Sequence, residues 1–202
     1  QAEETGLIIN MGDWILREVC RNYRQWLDKG LPKIHVAVNY SSIQFFDDNL
    51  VERIINTIND FGLNPEFLIV EITESVLMTE AEKAASIIKR LQYHGIQVAL
   101  DDFGTGFSSL AYLGSFKIDI LKIDGSFIKS AIKNENSNII TKSIINMARE
   151  LNIKLVAEGI EKWEQLSYLL KLKCKIGQGY LYSKPLFSDE FEKVLAKGVC
   201  KP

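Results

Sequence analysis

Two carboxylates stand side by side at Asp101 and Asp102, after the apolar run Val98-Ala99-Leu100 and before Phe103-Gly104-Thr105-Gly106-Phe107-Ser108-Ser109-Leu110. The apolar run reads as a buried strand, and the two glycines as a turn into a short helix. Adjacent aspartates repel each other, so a pair at a strand end calls for a compensating cation. The plain alternative is that Asp102 only serves a turn or a cap. Four further polar residues change the balance. Asn39, Glu71, Lys122 and Glu158 each fall, like Asp101, at or near the C-terminal end of a different predicted strand. The residues two positions earlier (Ala37, Ile69, Ala99, Ile120 and Val156) are small or apolar. All five could therefore lie on one interior face below a ring of polar groups.

Carboxylates, one amide and one lysine suit hard, oxygen-preferring cations. Mg²⁺ or Mn²⁺ are the natural occupants, with Ca²⁺ as a competitor. Two such ions about 3.5–4 Å apart are a common device for phosphodiester cleavage. Asp101 is the candidate bridge between them, and Asp102 reaches the second ion only. Lys122 supplies fixed positive charge near the attacking water or the charge developing on phosphorus. Glu158 takes a proton from that water. Each residue has a plainer reading too: Glu71 and Glu74 as a solvated strand end, Lys122 as the ion-pair partner of Asp101, Glu158 and Glu161 as acids favoured at a helix start. His35 shares a predicted face with Asn39 but lies far down its strand, which suits the core or the barrel floor better than ligation. Cys174 reads as a small core residue, since no histidine partners it.

Composition narrows the remaining classes. The chain of 202 residues is long enough for one sizeable core. A net charge of −2 offers no electrostatic case for a nucleic-acid polymer or a membrane surface. No apolar run is long enough to span a bilayer, and the first residues show no basic-then-apolar signal pattern. Cys20, Cys174 and Cys200 are scattered, which fits a reducing compartment. Asp102-Phe103-Gly104 looks like the kinase metal-binding triplet, but no His-Arg-Asp precedes it; Gly104-Thr105-Gly106 lacks the third glycine of a dinucleotide fingerprint.

The elements that must position these residues alternate along the whole chain. Periodicity predicts helices over 5–28, 47–61, 79–94, from the strand at 118–124 to about Leu151, and over 161–172 and 188–197. It predicts strands over 33–40, 67–72, 96–101, 118–124 and 153–158, with a short strand-like piece at 174–177. Strict alternation implies a parallel sheet covered by helices. An open doubly wound sheet and a (β/α) barrel both satisfy it, and five polar strand ends converging favour the barrel mouth. No linker or repeat marks an internal boundary, so residues 1–202 read as a single domain.

Six ordered strings then resemble the EAL domain family, phosphodiesterases of the bacterial second messenger cyclic di-GMP. They are Val38-Asn39-Tyr40-Ser41, Glu71-Ile72-Thr73-Glu74-Ser75, Asp101-Asp102-Phe103-Gly104-Thr105-Gly106-Phe107-Ser108-Ser109-Leu110, Leu121-Lys122-Ile123-Asp124, Ala157-Glu158-Gly159-Ile160-Glu161 and Gly177-Gln178-Gly179-Tyr180. The resemblance implies an α/β, TIM-like (β/α) barrel whose first strand runs antiparallel to the rest. It implies that Asn39, Glu71, Asp101 and Asp102 hold two Mg²⁺ or Mn²⁺ ions, with Glu161 supporting the metal site and Lys122 and Glu158 serving the attacking water. Gln178 would contact the guanine nucleotide, with Asp124 also on the substrate side. Glu74 would anchor the loop from Phe103 to Leu110, which couples the site to a dimer interface. The product would be linear pGpG. The implied setting is a cytoplasmic homodimer, or the cytoplasmic part of a membrane-anchored parent, with a regulatory or GGDEF-type domain upstream.

One string of the family is missing. No Glu-Ala-Leu occurs among these residues, and in the family its glutamate binds metal at the end of the first strand. Ala2-Glu3-Glu4-Thr5-Gly6-Leu7 resembles the segment after that strand. The expectation is a barrel lacking its first β-strand, and therefore weak or absent hydrolysis by this chain within a competent parent. The alternative is a degenerate domain that senses cyclic di-GMP or serves as an interaction module.

Overall fold

A computed structural model describes residues 7–104, 114 and 116–198. The expectations placed on residues 2–6, on the loop from Thr105 to Leu110 and on Cys200 lie outside the described residues. In chain order the elements are α1 (Leu7–Asp28), β1 (Val36–Asn39), α2 (Ser42–Phe45), α3 (Leu50–Asp60), β2 (Leu68–Thr73), α4 (Glu74–Thr79), α5 (Ala81–Tyr93) and β3 (Gln97–Phe103). They continue with β4 (Ile120–Ile123), α6 (Gly125–Ala131), α7 (Glu135–Glu150), β5 (Lys154–Ala157), α8 (Trp163–Lys171), β6 (Ile176–Gly177) and α9 (Ser188–Lys197). The class is α/β, and every strand pair described below is parallel. No helix of the described residues is long and apolar enough to cross a membrane.

The chain divides into two compact units: one up to Val98 together with α9, the other from Ala99 to Phe187. In the first unit, α1 buries Leu16, Cys20 and Tyr23 at helical spacing and stops where Gly30 takes a φ of +73°. The Tyr23 ring stacks on Phe67, centroids 4.3 Å apart, just before β2 begins. The buried amide of Gln44 ties α2 to α1: its Nε2 donates to the Ile8 carbonyl at 2.9 Å, and its Oε1 accepts from the Ser41 amide at 2.9 Å. Gly12 leaves room for it, since a Cβ there would collide with Gln44 Nε2. β1 and β2 pair in the register Val36↔Leu68 to Asn39↔Glu71.

In the second unit β3, β4, β5 and β6 follow one another in space as in sequence. That uninterrupted order belongs to a (β/α) barrel; a doubly wound sheet reverses its strand order at a switch point. α6 and α7 pack on each other and bury Ile128, Ala131, Thr141, Ile144, Ile145 and Ala148.

Three helix expectations are corrected. The helix predicted over 47–61 begins at Leu50, and α2 precedes it as a separate turn. α4 is an additional short helix before α5. The run predicted from 118–124 to Leu151 is broken at 132–134, because Asn134 caps a fresh helix by accepting from the Ser137 amide at 3.1 Å.

Candidate active site

A β-bulge sets the centre of the site. Ala99 and Leu100 of β3 pair with Ile120 and Leu121 of β4, but the next pair is Phe103 with Ile123. Asp101 and Asp102 together therefore stand opposite the single residue Lys122. In a regular strand their side chains would point to opposite faces. The extra residue, with Asp102 at a φ of +53°, breaks that alternation. Carboxylate oxygens of Asp101, Asp102 and Glu158 then all lie within 4.8 Å of one another. The Asp102 amide also donates to Asp101 Oδ1 at 3.0 Å.

Lys122 holds this cluster from below. Its Nζ lies 3.0 Å from Asp101 Oδ1 and 2.8 Å from Glu158 Oε1, and the residue is only 5% exposed. Burial disfavours a lone ammonium, and two carboxylates within ion-pair distance offset that penalty. Glu158 reaches the lysine because β5 runs in register with β4, and the Glu158 amide extends the ladder to the Ile123 carbonyl at 3.0 Å. Burial pushes the Glu158 carboxyl up to about 6 against the opposing pull of Lys122, and the Asp101 carboxylate adds to the rise. Asp102 is raised as well, by desolvation and then by the negative charges of Asp101 and Asp124.

From Glu158 a cleft of about 530 Å³ opens, lined also by Asp124, Glu161, Gln178, Tyr180 and Lys129. Its walls are held by backbone packed on backbone. A Cβ on Gly125 would lie 2.9 Å from Gly159 Cα and 3.1 Å from the Glu158 carbonyl oxygen. Gln178 is fixed on both sides: its amide donates to the Ala157 carbonyl at 2.8 Å, and its carbonyl accepts from the Ile160 amide at 3.1 Å.

The predicted residues thus fall into distinct places. Asp101, Asp102, Lys122 and Glu158 form one cluster. Gln178, Asp124 and Glu161 share the cleft with Glu158, outside the three-carboxylate group. Asp124 is the N-cap of α6, accepting from the Ser126 amide at 2.9 Å. Asn39 and Glu71 belong to the first unit, where they are register partners, Asn39 at the end of β1 and Glu71 near the end of β2, Glu71 buried and Asn39 exposed. The Tyr40 amide donates to the Glu71 carbonyl at 2.9 Å just beyond them. Glu74 opens α4 and is half-buried, while its predicted loop partner lies outside the described residues beyond Gly104. Cys174 is buried, as expected. Of the two places expected for His35, the core is corrected: the residue is exposed, because the face it shares with Ala37 and Asn39 is the exposed face of β1.

Lys129 and Gln165 are cleft residues that the sequence reading did not single out. For Gln165 a signal existed. Its Oε1 accepts from the amides of Glu161 and Lys162, both at 2.8 Å, and a Gln three residues into a helix is a capping position. Lys129 carried no signal, because only the cleft gives it a role.

A family model described as "EAL domain" matches residues 1–185. The chain is 40% identical to the bifunctional diguanylate cyclase/cyclic di-GMP phosphodiesterase MucR of Pseudomonas aeruginosa, over 94% of this chain and 28% of that protein. It spans about a quarter of the length of the curated relatives it matches. The solved structure of the PaMucR phosphodiesterase in complex with c-di-GMP superposes with a TM-score of 0.89 at 39% identity, covering 94% of this chain and 77% of that one. A Klebsiella pneumoniae BlrP1 structure containing manganese and c-di-GMP superposes at 0.76 with 26% identity, over 86% of this chain and 44% of that one.

Proposed function

Because this chain belongs to the EAL domain family, of the α/β, TIM-like (β/α) barrel class, we propose that it hydrolyses cyclic di-GMP to linear pGpG with two divalent cations, Mg²⁺ or Mn²⁺. The observation that carries this reading is the cluster of Asp101, Asp102 and Glu158 around the buried Lys122. The cluster fits a hard cation: every donor is oxygen, and the burial and, secondarily, the mutual repulsion that raise Asp102 and Glu158 are what a bound divalent ion offsets. Asp101 and Asp102 would hold the cations, Asn39 and Glu71 are the further oxygen donors assigned to them, and Glu161 supports the site. Bound there, the cations would polarise a phosphoryl oxygen and make a water more acidic.

The chain's own groups do the rest. Glu158, with its carboxyl near 6, takes the proton of the attacking water, a base poised for neutral pH. Lys122 orients Glu158 and Asp101 and sets a fixed positive charge against the charge growing on the phosphoryl group. The water oxygen bonds to phosphorus as the P–O3′ bond breaks, and the departing 3′-oxygen takes a proton from solvent, leaving a 5′-phosphate and a 3′-hydroxyl. Gln178 and Asp124 hold the guanine nucleotide in the cleft. The acting form is a homodimer, and a regulatory or GGDEF-type domain supplies the input.

One observation favours a second reading. These 202 residues contain no Glu-Ala-Leu, so they do not supply the glutamate that the family resemblance adds to the metal ligands. Weak turnover, or binding of cyclic di-GMP without cleavage, is then the outcome for these residues alone. Mn²⁺ calorimetry and chromatography of products after incubation with cyclic di-GMP separate the cases. Mn²⁺ uptake with pGpG formation supports hydrolysis, cyclic di-GMP binding without product supports sensing, and neither would sink both.

A further inference from the structure

The cleft continues beyond Glu158. Lys129, Glu161 and Gln165 are walls shared with a smaller compartment of about 100 Å³, into whose lining Lys133 and Lys162 also enter. Among the described residues lining the main cleft, Lys129 is the only cation, against the carboxylates of Asp124, Glu158 and Glu161. It is exposed on α6 and makes no ion pair among the described residues. α6 is a firm platform for it, capped by Asp124 and held by the buried Ile128 and Ala131. A cyclic dinucleotide carries two phosphodiester anions. The cluster at Glu158 serves the one that is cleaved, and the other would face a carboxylate-lined wall unless a cation met it.

We propose that Lys129 determines specificity by binding the phosphate of the cyclic dinucleotide that is not cleaved. The inference rests on the cyclic di-GMP reading above and adds the group that recognises a second phosphate. A lysine ammonium suits this role as a compact point charge with three donors.

The test compares two phosphodiesters with Mn²⁺ present: cyclic di-GMP, which has two phosphates, and bis(p-nitrophenyl) phosphate, which has one. Where turnover of cyclic di-GMP is slow, its Kd is measured by calorimetry with Ca²⁺. Lys129→Ala is expected to raise KM or Kd for cyclic di-GMP about tenfold, equivalent to about 1.4 kcal/mol. kcat should stay within about twofold, the signature of lost uniform binding. Lys129→Arg should restore most of the affinity. Constants for bis(p-nitrophenyl) phosphate should not move. Lys142→Ala, an exposed charge removal on α7 away from both compartments, should change neither substrate. Unchanged cyclic di-GMP affinity in Lys129→Ala, or an equal loss on both substrates, overturns the proposal while leaving the function intact. A wild-type chain that neither binds nor cleaves cyclic di-GMP overturns the function itself, and the proposal with it.

Discussion

Asp101 and Lys122 form a 3.0 Å ion pair because β3 carries one more residue than β4 at that point. The bulge spends its extra residue on Asp102, in the left-handed region at a φ of +53°. One lysine thereby faces two consecutive aspartates, and its second contact, 2.8 Å to Glu158, brings in the neighbouring strand. The cluster is a product of backbone geometry as much as of side-chain choice.

Removing the lysine tests how far charge holds the cluster together. Lys122→Met leaves Asp101 and Glu158 facing each other with no cation. Breaking a buried pair in this way costs about 3–5 kcal/mol, and the upper part of that range is expected near neutral pH without metal. At about pH 5 the loss should shrink, because Glu158 with its carboxyl near 6 then already carries a proton. Urea unfolding at both pH values reads the difference. Equal losses would mean that Lys122 contributes packing and not charge.

Glu158 also sets a pH window. Its carboxyl lies near 6 in the folded chain against 4.5 for the ordinary group, so the native state holds the proton more tightly than the unfolded one. Its contribution to stability is full below about 4.5, falls as pH rises to about 6 and is flat above. Mn²⁺ should displace that proton. Affinity for Mn²⁺ is therefore expected to weaken as pH drops through 6, with proton release visible as a buffer-dependent heat in calorimetry. An affinity that does not change between about pH 5 and 7 would separate Glu158 from the metal site.

The strand ends were legible in the sequence because period-2 alternation is local. Asn39, Glu71, Asp101, Lys122 and Glu158 all sit at or near strand ends, as expected, but Asn39 lies on an exposed face of β1 and not on an interior one. The bulge was not legible: strict alternation puts Asp101 and Asp102 on opposite faces, and only pairing with β4 shows the extra residue. Asp124 could have been read as a cap, since Asp before Gly-Ser suits a helix start, but its family motif drew attention to substrate instead. The contact of Gly125 with Gly159 links residues far apart in sequence, and no local pattern encodes it. The exposure of His35 likewise depends on what covers one face of β1, which alternation alone does not say.

Asp102 allows backbone and charge to be separated. Asparagine tolerates the left-handed region about as well as aspartate, whereas a β-branched residue does not. Asp102→Asn should unfold within about 0.5 kcal/mol of wild type, since it also removes one of three repelling carboxylates. Its Mn²⁺ affinity should nevertheless fall by about tenfold. Asp102→Val should lose both, with a stability cost of about 1–2 kcal/mol from the strained φ. Thermal unfolding and Mn²⁺ titration of the two variants decide it. If the asparagine variant unfolds as readily as the valine one, the backbone is not what constrains this position.

Gly125→Ala probes the wall of the cleft without touching a charged group. The added Cβ would meet Gly159 Cα at 2.9 Å and the Glu158 carbonyl oxygen at 3.1 Å, both backbone atoms with no side chain to swing aside. Either α6 or the segment from Glu158 to Gly159 must shift. Gly125 itself has no positive φ, so alanine brings no backbone strain of its own. The overpacking should cost about 1–3 kcal/mol, little enough to leave the chain folded. The displacement acts on Glu158 directly, and a shift of about 1 Å in a catalytic group can remove about a hundredfold in rate. The expected result is a folded variant by circular dichroism, with Mn²⁺ affinity close to wild type and turnover of cyclic di-GMP lowered mainly in kcat. Where turnover is too slow to follow, the shift should appear as a change in the pH at which Mn²⁺ binding releases its proton, because the Lys122–Glu158 contact is what pulls that carboxyl down. A Gly125→Ala chain with wild-type kcat and an unmoved proton-release pH would show that the glycine contact does not position Glu158.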